Sequence, residues 1–435
     1  MLKVLNYNKK NSLKTLEVFL NKRKTVQKSQ TKVVSAIIKK VKKKGDVAVL
    51  NYEKKFSKLK IKSKKIFFSK KEIKNISKKL DKKIKKAIDL AYSRIKKFHS
   101  KQKFFSYKLK DQYKNELSYK YSPIEKVGVY VPGGTASYPS TVLMNCIPAL
   151  VAGVREIYLT TPSLDSKINP AIIYAAKKCG VKKIYKTGGA HTIAALAYGT
   201  KNFEKVDKIV GPGNAFVACA KKEVFGDVGI DMIAGPSEVS IVADKSADPD
   251  LVAADLIAQA EHDVNAQSIL ITNDKNLIRL VNISLKKQMR QLPKKNIATK
   301  SLKNFGLAVF SNNKKKIVEI INTIAPEHLE LCTKINSEII KGVKNAGSIF
   351  IGKFSPEAIG DYIAGPNHVL PTSGSARFSS GLSVNDFLKR HSLIKITKTG
   401  IERLGSSVIN LAKHENLDGH ANSVRMRLKK GKLIG

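Results

Sequence analysis

A chain of 435 residues exceeds the roughly 250–300 at which a single hydrophobic core stops growing, so at least two domains are expected. The 42% hydrophobic content suits a folded protein, and no run approaches the roughly 18 apolar residues of a membrane span, which excludes a membrane partner. The formal charge of +47 invites a nucleic-acid reading, but 71 of the 81 cations are lysines spread over the whole length, whereas recognition of phosphates and base edges favours clustered arginine; no nucleic-acid partner is expected.

Residues 1–24 read as a helical arm, interrupted by charge and lacking an apolar block with a cleavage site, which places the protein in the cytoplasm. Through residue 125 lysine alternates with apolar positions. Between Lys79 and Gln102, Leu80, Ile84, Ala87, Ile88, Ala91 and Ile95 keep helical spacing, which predicts an amphipathic helix with a solvated lysine face and a merely solvated His99. From Lys126 the texture changes to short apolar runs closed by glycine or proline: KVGVYVPGG, EIYLTTP, KIVGPGN, EVSIVAD, SILIT, LAVFS and SIFIG read as seven strands. Helical patterns lie between them, for instance AHTIAALAYGT and AFVACAKKEVFG. That alternation predicts βαβ units and an α/β fold: two incomplete Rossmann-like, doubly wound lobes, the second inserted into the first, with small helical elements at both termini. The expected division is 25–128 with 238–382 as the first α/β domain, 129–237 as the second, and 383–435 as a helical tail without strands. The four cysteines, at 146, 179, 219 and 332, form no C-x-x-C pair and read as buried small apolar residues.

Several strands end in glycine-rich turns: Pro132-Gly133-Gly134, Gly188-Gly189-Ala190, Gly211-Pro212-Gly213-Asn214 and Gly235-Pro236-Ser237-Glu238. A strand end, glycines and a helix N-terminus form an anion-binding arrangement, yet none completes G-x-G-x-x-G, and tight αβ turns account for them equally well. Between Asp227 and Asp263 the basic composition reverses, with nine carboxylates and one cation, Lys245, in thirty-seven residues; a bound cation would explain the strip. Its last turn holds Gln259 and His262, an i, i+3 pair on one helical face that can converge on a metal. Without a C-x-x-C pair, a metal here must be held by imidazole, carboxylate and amide, a set that suits zinc among harder ions. At Ala325-Pro326-Glu327-His328 the proline predicts a helix start whose positive end favours an ionised Glu327 and a neutral His328, although a capping glutamate beside an incidental histidine fits as well. Gly360-Asp361-Tyr362, Gly365-Pro366-Asn367-His368, and Glu415 and His420 around Gly419 add further carboxylates and imidazoles, so a second-half cluster is expected.

The stretches GVYVPGGTASYPSTVLMNCIPALVAGV, GPGNAFVACAKKEVFG, IDMIAGPSEVSIVAD, DLIAQAEHD, APEHLEL and GDYIAGPNHVLPTSGSARFSSGLSV together resemble the histidinol dehydrogenase family from about Lys126 to the C-terminus. The resemblance implies a zinc-dependent enzyme that takes L-histidinol to L-histidine through bound L-histidinaldehyde, reducing two NAD. It implies Gln259, His262, Asp361 and His420 as zinc ligands and Glu327 with His328 as the base pair. Substrate contacts fall on Ser237, His368 and Glu415 together with the metal ligands and His328, and cofactor contacts on Tyr130, His191 and Asn214, which makes 129–237 the NAD side. The family's C-terminal element crosses to the other subunit of a homodimer, so His420 and Glu415 would serve the partner's site. The sequence departs from the family at Gly188-Gly189-Ala190-His191, where members commonly carry GGAQ; an imidazole replaces an amide, which predicts an altered NAD affinity. The competing readings are a same-fold zinc and NAD dehydrogenase of another small polar alcohol, a zinc hydrolase using Glu327, and a basic nucleic-acid-binding protein.

Overall fold

The computed structural model describes residues 1–25, 30–57, 66–102, 104–133, 138–163 and 168–432; Gly134 of the first glycine turn lies outside them. The chain forms two compact units, 1–102 with 124–387 and 103–123 with 388–435.

Fourteen strands occur among the described residues: β1 (Lys3–Asn6), β2 (Lys108–Lys110), β3 (Glu116–Pro123), β4 (Lys126–Tyr130), β5 (Glu156–Thr160), β6 (Lys183–Tyr185), β7 (Lys208–Val210), β8 (Gly229–Ile230), β9 (Glu238–Ala243), β10 (Gln267–Thr272), β11 (Gly306–Phe310), β12 (His328–Cys332), β13 (Ser348–Ile351) and β14 (Leu388–Lys395). In the larger unit they make two parallel sheets with helical crossovers, a five-stranded one ordered β6-β5-β4-β7-β8 and a six-stranded one ordered β1-β11-β10-β9-β12-β13. The first lies wholly in sequence between β1 and β9, so the expected insertion and the α/β class both hold. All seven expected strands form. They are legible because sheets covered on both faces bury whole apolar runs, as in the fully buried β9 and β10.

The departures have local causes. The arm is not purely helical: Lys3–Asn6 pairs in parallel with Leu307–Phe310 as the sheet's edge strand, before the helix Ser12–Thr25. The tail is not strand-free, because Leu388–Lys395 pairs antiparallel with Lys395↔Glu116 through Leu388↔Pro123. It escaped notice because its side chains are mostly exposed and polar, without the run of buried apolar residues that marks the others. The helices between Thr31 and His99 pack on the helices that cover the five-stranded sheet, where Val34, Ile37 and Ile38 join the cluster around Leu196, and Ile88, Ala91 and Ile95 that around Val129. The expectation grouped them with residues 238–382. His99 is buried, its ring nitrogen Nδ1 3.0 Å from Gln102 Oε1, because it closes the helix Lys82–His99 on its apolar face. Of the cysteines only Cys146 and Cys179 are buried, and all four are free thiols.

Candidate active site

The site is built at two sheet ends that face one cleft of about 670 Å³. One wall is the carboxyl end of the five-stranded sheet, where β4 and β7 run into Pro132-Gly133 and Pro212-Gly213-Asn214. These are the strands at which the order reverses, the position where open α/β sheets hold their ligands. Gly211 adopts φ +109°, and a Cβ there would meet the Tyr130 backbone, so β4 and β7 can pass this closely only at glycine. The Asn214 side chain accepts hydrogen bonds from the Phe216 and Val217 N–H groups, capping the helix Ala215–Val224.

The opposite wall comes from the amino ends of β9 and β12 and carries Ser237, His262, Glu327, His328, Asp361 and His368. The helix Lys314–Ile324 stops at Ala325 in the left-handed region, φ +50°, and Pro326 follows that cap. Proline is common just after a helix end, so the expected helix start is corrected: Glu327 lies in the connection and His328 opens β12. Both side chains are oriented by one residue of the neighbouring strand. Glu238 donates its N–H to Glu327 Oε2 at 2.9 Å, and its carbonyl accepts from His328 Nδ1 at 3.1 Å, which leaves Nε2 for chemistry. That Nε2 has no hydrogen-bond partner and lies 3.7 Å from Asp361 Oδ1.

The expected protonation states are also corrected. Burial pushes the Glu327 pKa up to about 7, with the Glu238 carboxylate adding to the rise against the pull of His328. Burial opposes the His328 imidazolium, but Glu357, Glu327 and Asp361 outweigh it and raise its pKa well above the ordinary value. Behind His328 lies a layer of buried acids. The Glu357 N–H donates to Glu330 Oε1 at 2.6 Å; burial raises Glu357 to about 8, and burial with the nearby Asp255 carboxylate raises Glu330 to about 9.

Gln259 ends the helix Pro249–Ala260 and His262 follows it, with Nδ1 of His262 3.1 Å from Gln259 Oε1. Burial lowers the His262 pKa and so keeps an imidazole lone pair available, whereas Asp361 stays ionised against burial through His328 and His368. Gln259 is fully buried and its Nε2 lacks a partner. His328, Glu357 and Asp361 also gather within 4.8 Å of one another. Of the two groupings, Gln259, His262 and Asp361 fit a metal better, since His262 and Asp361 both line the cleft with Gln259 Oε1 beside His262, whereas Glu357 lies among the acids behind His328. His368 donates from Nδ1 to the Asp361 carbonyl at 2.9 Å.

The acidic strip as a whole does not converge there. Asp231 pairs with Lys221, Glu238 with Arg23, Asp248 caps its helix, and Asp244 accepts from the Ser246 and Lys334 N–H groups. Nor does His191 reach the cleft. Its ring is buried beside Tyr52 and Phe56, with Nε2 2.8 Å from Glu53 Oε1, an oxygen that also accepts the Gly188 N–H at 2.8 Å. Tyr130 is likewise buried, its hydroxyl accepting the Gly189 N–H at 3.0 Å. His420 and Glu415 are exposed in the smaller unit.

The family model for histidinol dehydrogenase matches residues 20–428. The chain belongs to the histidinol dehydrogenase family. It is 54% identical to histidinol dehydrogenase of Pelagibacter ubique (strain HTCC1062) over 431 residues, 99% of this chain and 100% of that one. The Clostridium acetobutylicum histidinol dehydrogenase is 48% identical over 92% of each chain. The crystal structure of the histidinol dehydrogenase from Elizabethkingia anophelis superposes with a TM-score of 0.88 at 40% identity, covering 93% of each chain. As a member of this family the chain is an NAD-dependent oxidoreductase that oxidises histidinol to histidine in histidine biosynthesis. Among the described residues no helix is long and apolar enough to cross a membrane.

Sequence reasoning missed Arg23, Glu238, Glu330 and Glu357. Glu330, a charge inside the apolar run HLELC, carried a usable signal, since a buried carboxylate demands a partner. Arg23 and Glu357 carried none.

Proposed function

We propose that this chain carries out both oxidations in one cleft: L-histidinol and two NAD, with one water, become L-histidine and two NADH with release of protons, the aldehyde staying bound. The observation that carries the reading is the pairing of two walls, a glycine-lined carboxyl end suited to a dinucleotide and, facing it, the adjacent Glu327 and His328. Zinc held by Gln259, His262, Asp361 and His420 would supply a Lewis acid that fixes the substrate's nitrogens and offsets the Asp361 carboxylate. With Asp361 offset in this way, a neutral His328, locked by its Nδ1–H to the Glu238 carbonyl, would receive the alcohol proton at Nε2 as the first hydride leaves to NAD, release it to solvent, and later take a proton from the hydrate. Glu327, with its pKa near 7, is poised to take a proton from the water that hydrates the aldehyde. Ser237 and His368 line the same wall and would contact the substrate. Asn214 would contact NAD, and the Gly188-Gly189 turn would carry the influence of Tyr130, which accepts the Gly189 N–H, and of His191, through the Glu53 carboxylate that accepts the Gly188 N–H. The exposed His420 and Glu415 support a homodimer in which each subunit completes its partner's cleft.

The test counts NADH formed per histidinol consumed by the zinc-loaded protein, beside a chelator-treated control. Two NADH, lost on chelation, are expected. One NADH with free aldehyde accumulating would sink the captive-intermediate reading, and none would move the chain to another small alcohol.

A further inference from the structure

One residue of β9 orients both members of the acid–base pair, so whatever fixes Glu238 fixes the catalytic geometry. Its backbone N–H holds Glu327 and its carbonyl holds His328, at 2.9 and 3.1 Å. Its side chain is buried beside Arg23, at the edge of a cavity of about 450 Å³. There Oε1 accepts the Ser373 N–H at 2.9 Å, and Oε2 accepts from Arg23 Nη1 at 2.5 Å. Arg23 comes from the helix Ser12–Thr25, far away in sequence, and its side chain and that of Glu238 are 3% and 4% exposed. The second guanidinium nitrogen donates to the Pro236 carbonyl and lies 3.5 Å from that of Ser237. The fork therefore spans three consecutive residues, 236, 237 and 238, that lead into the site. The Gly235 N–H donates to Thr372 Oγ1 at 2.5 Å, tethering the segment before them.

A buried ion pair is a poor way to gain stability, because desolvating two charges offsets most of their attraction. This pair gives something an apolar pair could not: a planar, two-nitrogen donor that fixes a carboxylate and a carbonyl together. We propose that Arg23 is a positioning residue for the reaction, setting Glu327 and His328 through Glu238; the inference rests on the reading of those two as the acid–base pair. An ammonium at position 23 keeps the charge but loses the fork. Displacing the dyad by about 1 Å is enough to cost on the order of 10²-fold in turnover.

Arg23 also borders the cleft, so a direct contact with substrate or cofactor is the rival role. The test measures kcat and both Michaelis constants for zinc-loaded wild type, Arg23→Ala, Arg23→Lys and Glu238→Gln, with melting followed by circular dichroism. Expected are a fall in kcat of about 10²-fold in Arg23→Ala with both Michaelis constants nearly unchanged, partial recovery with millimolar guanidinium, and a smaller fall in Arg23→Lys. If Arg23→Ala does not fold, Arg23→Lys with native melting carries the test, its smaller fall in kcat again expected without a change in either Michaelis constant. A rise in a Michaelis constant at constant kcat overturns the proposal in favour of direct contact, and unchanged kinetics in a folded variant overturn it outright. Wild type that makes no NADH from histidinol removes the functional reading and this inference with it.

Discussion

The two parallel sheets of the larger unit follow the same winding rule, yet they present opposite ends to the cleft. In each, the first strand of the run is central, β4 or β9; the next two lie to one side and the last two, β7 and β8 or β12 and β13, to the other. The five-stranded sheet uses its carboxyl end, where glycines open the β4 and β7 turns. The six-stranded sheet closes that end with hydrogen-bonded side chains: Asp244 accepts from the Lys334 N–H, and Asn336 Oδ1 from the Thr333 N–H at 3.0 Å. The proposed acid–base pair lies instead at the amino ends of β9 and β12. Topology thus accounts for the proposed cofactor wall, whereas the proposed reacting wall depends on particular side chains, in keeping with the rule that function lives in sites grafted on folds.

Three substitutions sharpen this contrast. The largest effect is expected from His328→Asn, which removes the proposed proton acceptor: kcat should fall by about 10²- to 10⁴-fold with NAD binding, measured by calorimetry, intact. Equal loss of NAD affinity would mean that the walls are not separable. On the other wall, Asn214→Ala should raise the NAD Michaelis constant by roughly tenfold, as expected for one lost hydrogen bond, and lower the melting temperature slightly through the lost helix cap. A change confined to kcat would place Asn214 with the chemistry instead. The smallest effect concerns stability. Glu330, raised to about 9, contributes stability at low pH that is lost as pH rises through that value, since the folded state must then ionise a buried acid. Glu330→Gln abolishes this titration and preserves an acceptor for the Glu357 N–H, so the variant should melt above wild type at pH 9 and gain less at pH 6. A gap independent of pH would show that Glu330 does not carry the effect.

What the sequence disclosed differs between the walls in the same way. The strands of both sheets were readable because burial on both faces leaves uninterrupted apolar runs, and the glycine turns of the five-stranded sheet give its strands sharp ends. On the reacting side, the spacing of Gln259 and His262 and the adjacent Glu327 and His328 were visible, since each pair is local. Their settings were not. The proline at 326 resembled a helix start until the left-handed Ala325 showed it to follow a helix end, and the protonation of His328 depends on Glu357 and Asp361, which reach it only in three dimensions. Arg23 and Glu238 lie 215 positions apart, a separation over which no periodicity operates.

The parallel edge strand β1 has a consequence for how the chain is made. Lys3 pairs with Leu307, so the amino end leaves the ribosome some 300 residues before its partner does. At roughly 5–20 residues per second that is about 15–60 s, long enough for the intervening lobe to fold first. Throughout that interval Val4 and Leu5 travel without their strand partner, and the six-stranded sheet, last to close, is the stage at which the nascent protein is most exposed to mispairing.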